Sequence, residues 1–176
     1  MTRRTRGREI ALQILYRTEQ NAGTSTAEVT EFIERRLRGD KKLVEFAQGL
    51  VAGVHGHQGA IDRMISDAAE NWRIDRMAAI DRNILRLGAY EMLFCPDVPT
   101  KVAINEALEL AKRYSTAQSS RFVNGILDRL QVHLQPKAEV VAKVTVPEVV
   151  LEPELEPEAG VSTVVEADAA PGAEQG

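Results

Sequence analysis

The sequence predicts an all-α protein: two small packed helical bundles, about seven helices in all, followed by a disordered acidic C-terminal tail. Two observations carry that prediction. Through the first 135 residues the apolar side chains recur at a spacing near 3.6, with no sustained strand-type alternation. From Pro136 onward the composition shifts to Pro, Glu, Val and Ala, with prolines at 136, 147, 153, 157 and 171. Proline at that density blocks helices and sheet ladders, and the acids repel one another. The expected division is a helical domain over residues 1–135 and a tail over 136–176, the former long enough to bury a real core.

The first helix is expected from Arg6, with Ile10, Ala11, Ile14 and Leu15 on one face, ending at Gly23. Ser25 and Glu28 form a capping-box pattern for the second, whose stripe is Val29, Phe32, Ile33 and Leu37. After Gly39, Asp40 is the expected N-cap of a third helix with Leu43, Phe46, Ala47, Leu50, Val51 and Val54 facing inward. Gly53, Gly56 and Gly59 are expected to weaken it before Ile61, Met64, Ile65 and Ala68 resume the period. The segment 76–94 is apolar over more than one face, which makes it the central helix with several neighbours. Pro96 and Pro99 stop it, and Thr100 is the expected cap of a helix burying Ile104, Ala107, Leu108 and Ala111. A hydroxyl-rich turn with Ser119 or Ser120 as N-cap opens the last helix, which buries Val123, Ile126, Leu127 and Leu130.

The net charge of −4 conceals a segregation. Residues 136–176 hold two lysines against nine acids, whereas the first 135 hold 20 basic and 17 acidic side chains, a balance of +3. Arg3, Arg4, Arg6 and Arg8 stand among the first eight residues without an acid. A mildly basic body with an arginine arm suits a polyanionic partner, and the competing reading is a solvated, frayed terminus. Cys95 is the single cysteine and has no internal partner for a disulfide, no apolar run reaches the roughly 20 residues of a membrane span, and the N-terminus lacks a signal-type apolar stretch. The expected setting is the cytoplasm.

Catalytic patterns are not apparent. Phosphate-cradling glycine loops, dinucleotide fingerprints and zinc spacings are missing from the sequence. His55 and His57 are two residues apart, so on a helix they point to different sides, and Cys95 precedes Pro96 with no histidine near it in sequence. Glu106 and Glu109 fit a solvated face or salt bridges to Lys112 and Arg113 better than an acid–base pair. Residues 101–130 carry a different signal. The last helix opens with Arg121, Phe122 and Asn124, a cation, a ring and an amide suited to single-stranded RNA. Phe122 also falls near the apolar stripe, so a core role and a base-stacking role both stand, and Asn124 serves equally to fix its helix turn.

Three blocks resemble the NusB family of bacterial transcription antitermination factors. They are residues 3–16 (RRTRGREIALQILY), residues 72–93 (WRIDRMAAIDRNILRLGAYEML), and the pair VAINEALELAK and RFVNGIL within residues 102–127. The resemblance spans roughly residues 3–134 and stops at the tail. It implies an all-helical fold of two bundles, pairing with the ribosomal protein NusE, and binding of the pair to boxA-type single-stranded RNA in nascent transcripts, notably of ribosomal RNA operons. Other Nus factors and RNA polymerase follow as indirect partners, and neither catalytic residues nor a cofactor or metal is implied.

By the same resemblance, Arg3, Arg4, Arg6, Arg8, Gln118, Arg121, Phe122 and Asn124 are expected at the RNA, and Tyr16 and Asp81 at NusE. Gln118 departs from the acid that many relatives carry there, and a neutral amide repels phosphate less. An acid at Asp81 in an apolar helix is costly unless exposed or paired, so either an exposed contact to a basic partner residue or a local pair with Arg76 or Arg82 is expected. Two alternatives remain beside the antitermination reading. One is an RNA-binding module related to that of ribosomal RNA cytosine methyltransferases, disfavoured by a Pro/Glu tail where a catalytic domain would stand. The other is a protein-interaction module without RNA binding. A homodimer of the free chain is compatible with each.

Overall fold

The computed structural model describes residues 2–70 and 72–133; the tail expected over 136–176 lies outside the described residues. Six α-helices and one short 3-10 turn make up the described part. α1 (Arg3–Gln20) starts three residues earlier than the apolar pattern indicates, because Thr2 is its N-cap and accepts the Thr5 N–H at 3.1 Å. The arginine arm is therefore the first turns of a helix and not a frayed end. α2 (Thr26–Arg36) has the expected capping box: the Glu28 N–H donates to Ser25 Oγ at 3.2 Å and the Ser25 N–H to Glu28 Oε2 at 2.8 Å. Arg38 and Gly39 turn the chain with φ of 53° and 68°, and Asp40 caps α3 (Lys41–Ala68) as expected.

The expected weakening of α3 at its glycines does not occur; the helix runs through all of them for 28 residues. Tertiary packing overrides propensity here. A Cβ on Gly53 would fall 2.0 Å from Tyr90 Cζ of α4, so the missing side chain is the seat of a ring. His57, one turn on, packs on Phe94 at 4.1 Å and on Tyr90 at 5.9 Å, and its Nδ1 lies 2.9 Å from the Gly53 carbonyl oxygen. His57 is thus a packing residue. His55 meets Thr18 Oγ1 at 3.2 Å, and among the described residues no cluster suited to a metal ion forms.

A 3-10 turn (Ile74–Arg76) precedes α4 (Ala79–Phe94), which packs on α1, α3, α5 and α6 and is the central helix that its two-sided apolar pattern indicates. α5 (Thr100–Tyr114) has Pro99, not Thr100, at the cap position, so Thr100 already belongs to the helix. α6 (Ala117–His133) is capped by Thr116, whose Oγ1 accepts the Ser119 N–H at 3.1 Å; neither Ser119 nor Ser120 is the N-cap. Helices α1–α3 and α4–α6 form the two bundles, joined chiefly where α3 meets α4. One continuous core runs through both, with Ile14, Ile33, Ile61 and Ile65 on one side and Ile84, Leu85, Met92, Val123 and Leu127 on the other. Among the described residues no helix is long and apolar enough to cross a membrane.

Candidate RNA and partner interface

The arginines of α1 separate into two kinds. Arg3 is exposed and ion-paired with Asp40, Arg4 reaches Asp97 at 3.5 Å while lying over the Phe46 ring, and Arg6 reaches Glu9 at 3.0 Å. These three keep solvent access. Arg8 does not: it is 2 % exposed, and its guanidinium donates Nε and Nη2 to Glu91 at 2.8 and 2.7 Å, with Glu106 3.4 Å from Nη1. Burial alone would lower its pKa, but the hydrogen bonds and charge of Glu91, with Glu106 behind, raise it above the ordinary arginine value. The expected phosphate contact at Arg8 is corrected accordingly. Helical spacing turns position 8 toward the core, and Glu91 of α4 compensates the buried charge there.

The start of α6 holds the second group. Gln118 and Arg121 are exposed. Phe122 is half-buried and meets the Trp72 ring edge-on, centroids 5.6 Å apart, so its ring is shared between core and surface. Asn124 donates Nδ2 to Asp128 Oδ2 at 2.6 Å, one turn along the same helix. The two groups are linked along α5: Arg6 pairs with Glu9, whose other oxygen pairs with Arg113 near the end of that helix. Arg4 sits by Asp97, just ahead of α5, and α6 begins just beyond that helix's far end. α5 has 15 residues. At about 1.5 Å per residue, roughly 22 Å of helix lies between Arg4 and the start of α6. A strand touching both must run alongside α5.

Tyr16 is 43 % exposed and borders a cavity of about 450 Å³ with Leu12, Ile80 and Tyr114. Asp81 follows Ile80 in the first turn of α4, where a carboxylate is favoured by the helix dipole, and does not line that cavity. The exposure expected for Asp81 is not found, nor is a pair with Arg76 or Arg82. It is 8 % exposed and accepts the Ser119 hydroxyl at 2.9 Å, while Oδ1 has no hydrogen-bond partner. Arg82 turns instead to Glu19 and to the Ile74 and Met77 carbonyls. Asp81→Lys is therefore expected to lower stability by about 2–3 kcal/mol, since it buries a cation and removes the Ser119 acceptor. Asp81→Asn, which keeps an acceptor, should melt near the natural chain by circular dichroism.

What the exposed groups offer is ion pairing and ring contact, not bond-breaking, and the fold with these surfaces defines an all-helical binding module. The particular family is equally plain. The NusB family profile matches residues 5–132, and the chain belongs to that family. It is 49 % identical over 138 residues to the transcription antitermination protein NusB of Myxococcus xanthus, covering 76 % of this chain and 98 % of that one. The counterpart from Desulfatibacillum aliphaticivorans is 43 % identical over 141 residues, covering 79 % and 98 %. Among solved structures, T. maritima NusB superposes with a TM-score of 0.69 at 38 % identity over 81 % of this chain and 98 % of that one. A chain from the complex of the antitermination factors NusB and NusE with double-stranded RNA gives a TM-score of 0.69 at 28 % identity over 76 % and 99 %. The expectation of an antitermination factor and not an enzyme agrees with this family.

Proposed function

We propose that this chain pairs with NusE and that the pair binds boxA-type single-stranded RNA in nascent transcripts, notably of ribosomal RNA operons, to suppress termination. What carries the reading is the likeness to nearly the full length of a chain whose complex contains NusE and RNA. The exposed Arg3, Arg4 and Arg121 and the partly exposed Arg6 support it on the RNA side, with Gln118 and Asn124 as polar contacts. On the partner side, Tyr16 offers an exposed ring beside a cavity; Asp81 is buried, so its part is to hold the start of α6 through Ser119 and not to meet the partner directly. Other Nus factors and RNA polymerase join through this pair in the cytoplasm. The reading places the activity in residues 1–135, ahead of the acidic segment 136–176.

The test is a titration of labelled boxA and scrambled single strands, and of a duplex of equal length, with the chain alone and with NusE. NusE should tighten binding to boxA selectively. Four arginines on phosphates of a single strand give a slope of log affinity against log salt of about −3, and removing any one should flatten it by about 0.7. Equal affinity for boxA and scrambled RNA with and without NusE would refute the specific reading. Tyr16→Ala should weaken NusE binding in the same titration, while gel filtration of the free chain reads out a homodimer.

A further inference from the structure

Trp72 is the only tryptophan of the chain, and it is 58 % exposed. It stands between α3 and the 3-10 turn, outside every helix. A ring of that size left in water forgoes the burial that normally justifies tryptophan, so its fixed position on the surface asks for a ligand.

The position is fixed from several directions. Glu70, with φ of 46°, turns the chain out of α3, and the Trp72 N–H donates back to the Ala69 carbonyl at 3.1 Å. Arg129 of α6 donates to the Ala68 carbonyl at 3.1 Å and lies 3.7 Å from Glu70, which ties the end of α3 to the last helix. The indole then meets the Phe122 ring at an interplanar angle of 64°. Phe122 is half-buried and already engaged by this contact, whereas Trp72 presents the larger open face. Arg121 beside it is exposed and closes no ion pair with a described residue. Arg76, exposed in the same link, feels the charge of Asp75, but the close partner of that carboxylate is Arg73 at 2.7 Å.

We propose that Trp72 is the base-stacking residue of this surface: it receives an unpaired base of single-stranded RNA, with Phe122 as its backing and Arg121 and Arg76 as phosphate contacts. This rests on the RNA-binding reading above and moves the stacking role from Phe122 to its neighbour. A flat, open indole suits any base, because every base has a π face, while flanking guanidinium groups follow the backbone. A duplex, whose bases are already stacked, gains nothing from it.

Because the chain has one tryptophan, its intrinsic emission reports this position alone. The full-length chain is titrated with a labelled single-stranded RNA and with a duplex of equal length, following label anisotropy and tryptophan emission together. With the single strand, emission should be quenched with the same midpoint as the anisotropy rise; with the duplex it should not. Trp72→Leu should weaken single-strand binding about ten-fold at unchanged salt slope and leave duplex binding alone, and Trp72→Phe should restore most of the loss. A purely structural role would instead lower the melting temperature and affect both RNAs equally, which overturns the proposal. RNA binding with unchanged emission and an unaffected Leu variant also overturns it while leaving the RNA reading intact. Weaker NusE binding by the Leu variant with RNA affinity unchanged would make Trp72 a protein contact and overturn it likewise. No anisotropy change with any RNA, with or without NusE, would fell both.

Discussion

Glu91→Ala is expected to lower the stability of the chain by about 3–5 kcal/mol, because it strands the Arg8 guanidinium inside the protein. Both partners are almost wholly buried, at 2 % and 1 % exposure, and Glu91 supplies the bidentate contact that offsets Arg8's lost hydration. Glu106, at 3.4 Å and itself partly solvated, cannot replace it. In a chain of this size the melting temperature should fall by roughly 10–15 °C. Glu91→Gln keeps one acceptor and should fall less. The double variant Arg8→Met, Glu91→Leu removes both charges and should regain most of the loss, since uncompensated charge and not the absence of a bridge is what destabilises. Thermal unfolding of the four proteins checks this; a Glu91→Ala variant within about 1 kcal/mol of the natural chain would show that the pair is not desolvated in solution.

The second large effect is expected at Glu19. This carboxylate, near the end of α1, accepts from Arg82 Nε at 2.8 Å, Asn83 Nδ2 at 2.5 Å and Arg86 Nη1 at 3.0 Å, so it pins the first helix to the central one. Asn83 and Arg86 are 1 % and 6 % exposed, and Arg86 retains a fork to Asp62 at 2.7 and 2.8 Å when Glu19 is lost. Glu19→Ala should therefore cost about 2–3 kcal/mol, less than the loss at Glu91, as one of the two buried arginine clamps survives. The pH dependence follows. Burial pushes the Glu19 carboxyl upward, but the bonds from Arg82, Asn83 and Arg86 outweigh it and hold it below the usual carboxylate range. The folded state then binds fewer protons than the unfolded chain, so this stabilisation is complete above the ordinary carboxylate pKa and drains away as pH falls below it. Chemical denaturation between pH 6 and pH 3 should show a shallower acid loss in Glu19→Gln than in the natural chain; parallel curves would exclude Glu19 as the titrating group.

What the sequence made legible was whatever depends on near neighbours. The capping box of Ser25 and Glu28, the stop at Pro96 and Pro99, and the central character of α4 each follow from residues within a few turns of one another. Arg8 is ambiguous in the sequence because its local pattern, one arginine among four at a basic terminus, is the same whether it faces phosphate or core. Only Glu91, a distant residue on another helix, decides. Asp81 is ambiguous in the same way, its partner being Ser119 in the first turn of α6. Gly53 shows the converse case, where a residue with poor helix propensity is required because Tyr90 occupies its missing side-chain volume. Trp72 is marked in the sequence only as a lone tryptophan flanked by Arg73 and Arg76.

The Arg8–Glu91 clamp also constrains the order in which the chain is assembled. Its two halves are separated by 83 residues. A guanidinium is not dehydrated without its counter-charge, so the inner face of α1 stays wet until α4 has been synthesised and docked. The two halves are therefore expected to unfold as one cooperative unit, with coincident transitions by circular dichroism and tryptophan emission. Arg3 and Arg4 at the same terminus stay exposed, available to a polyanion before the body behind them has closed.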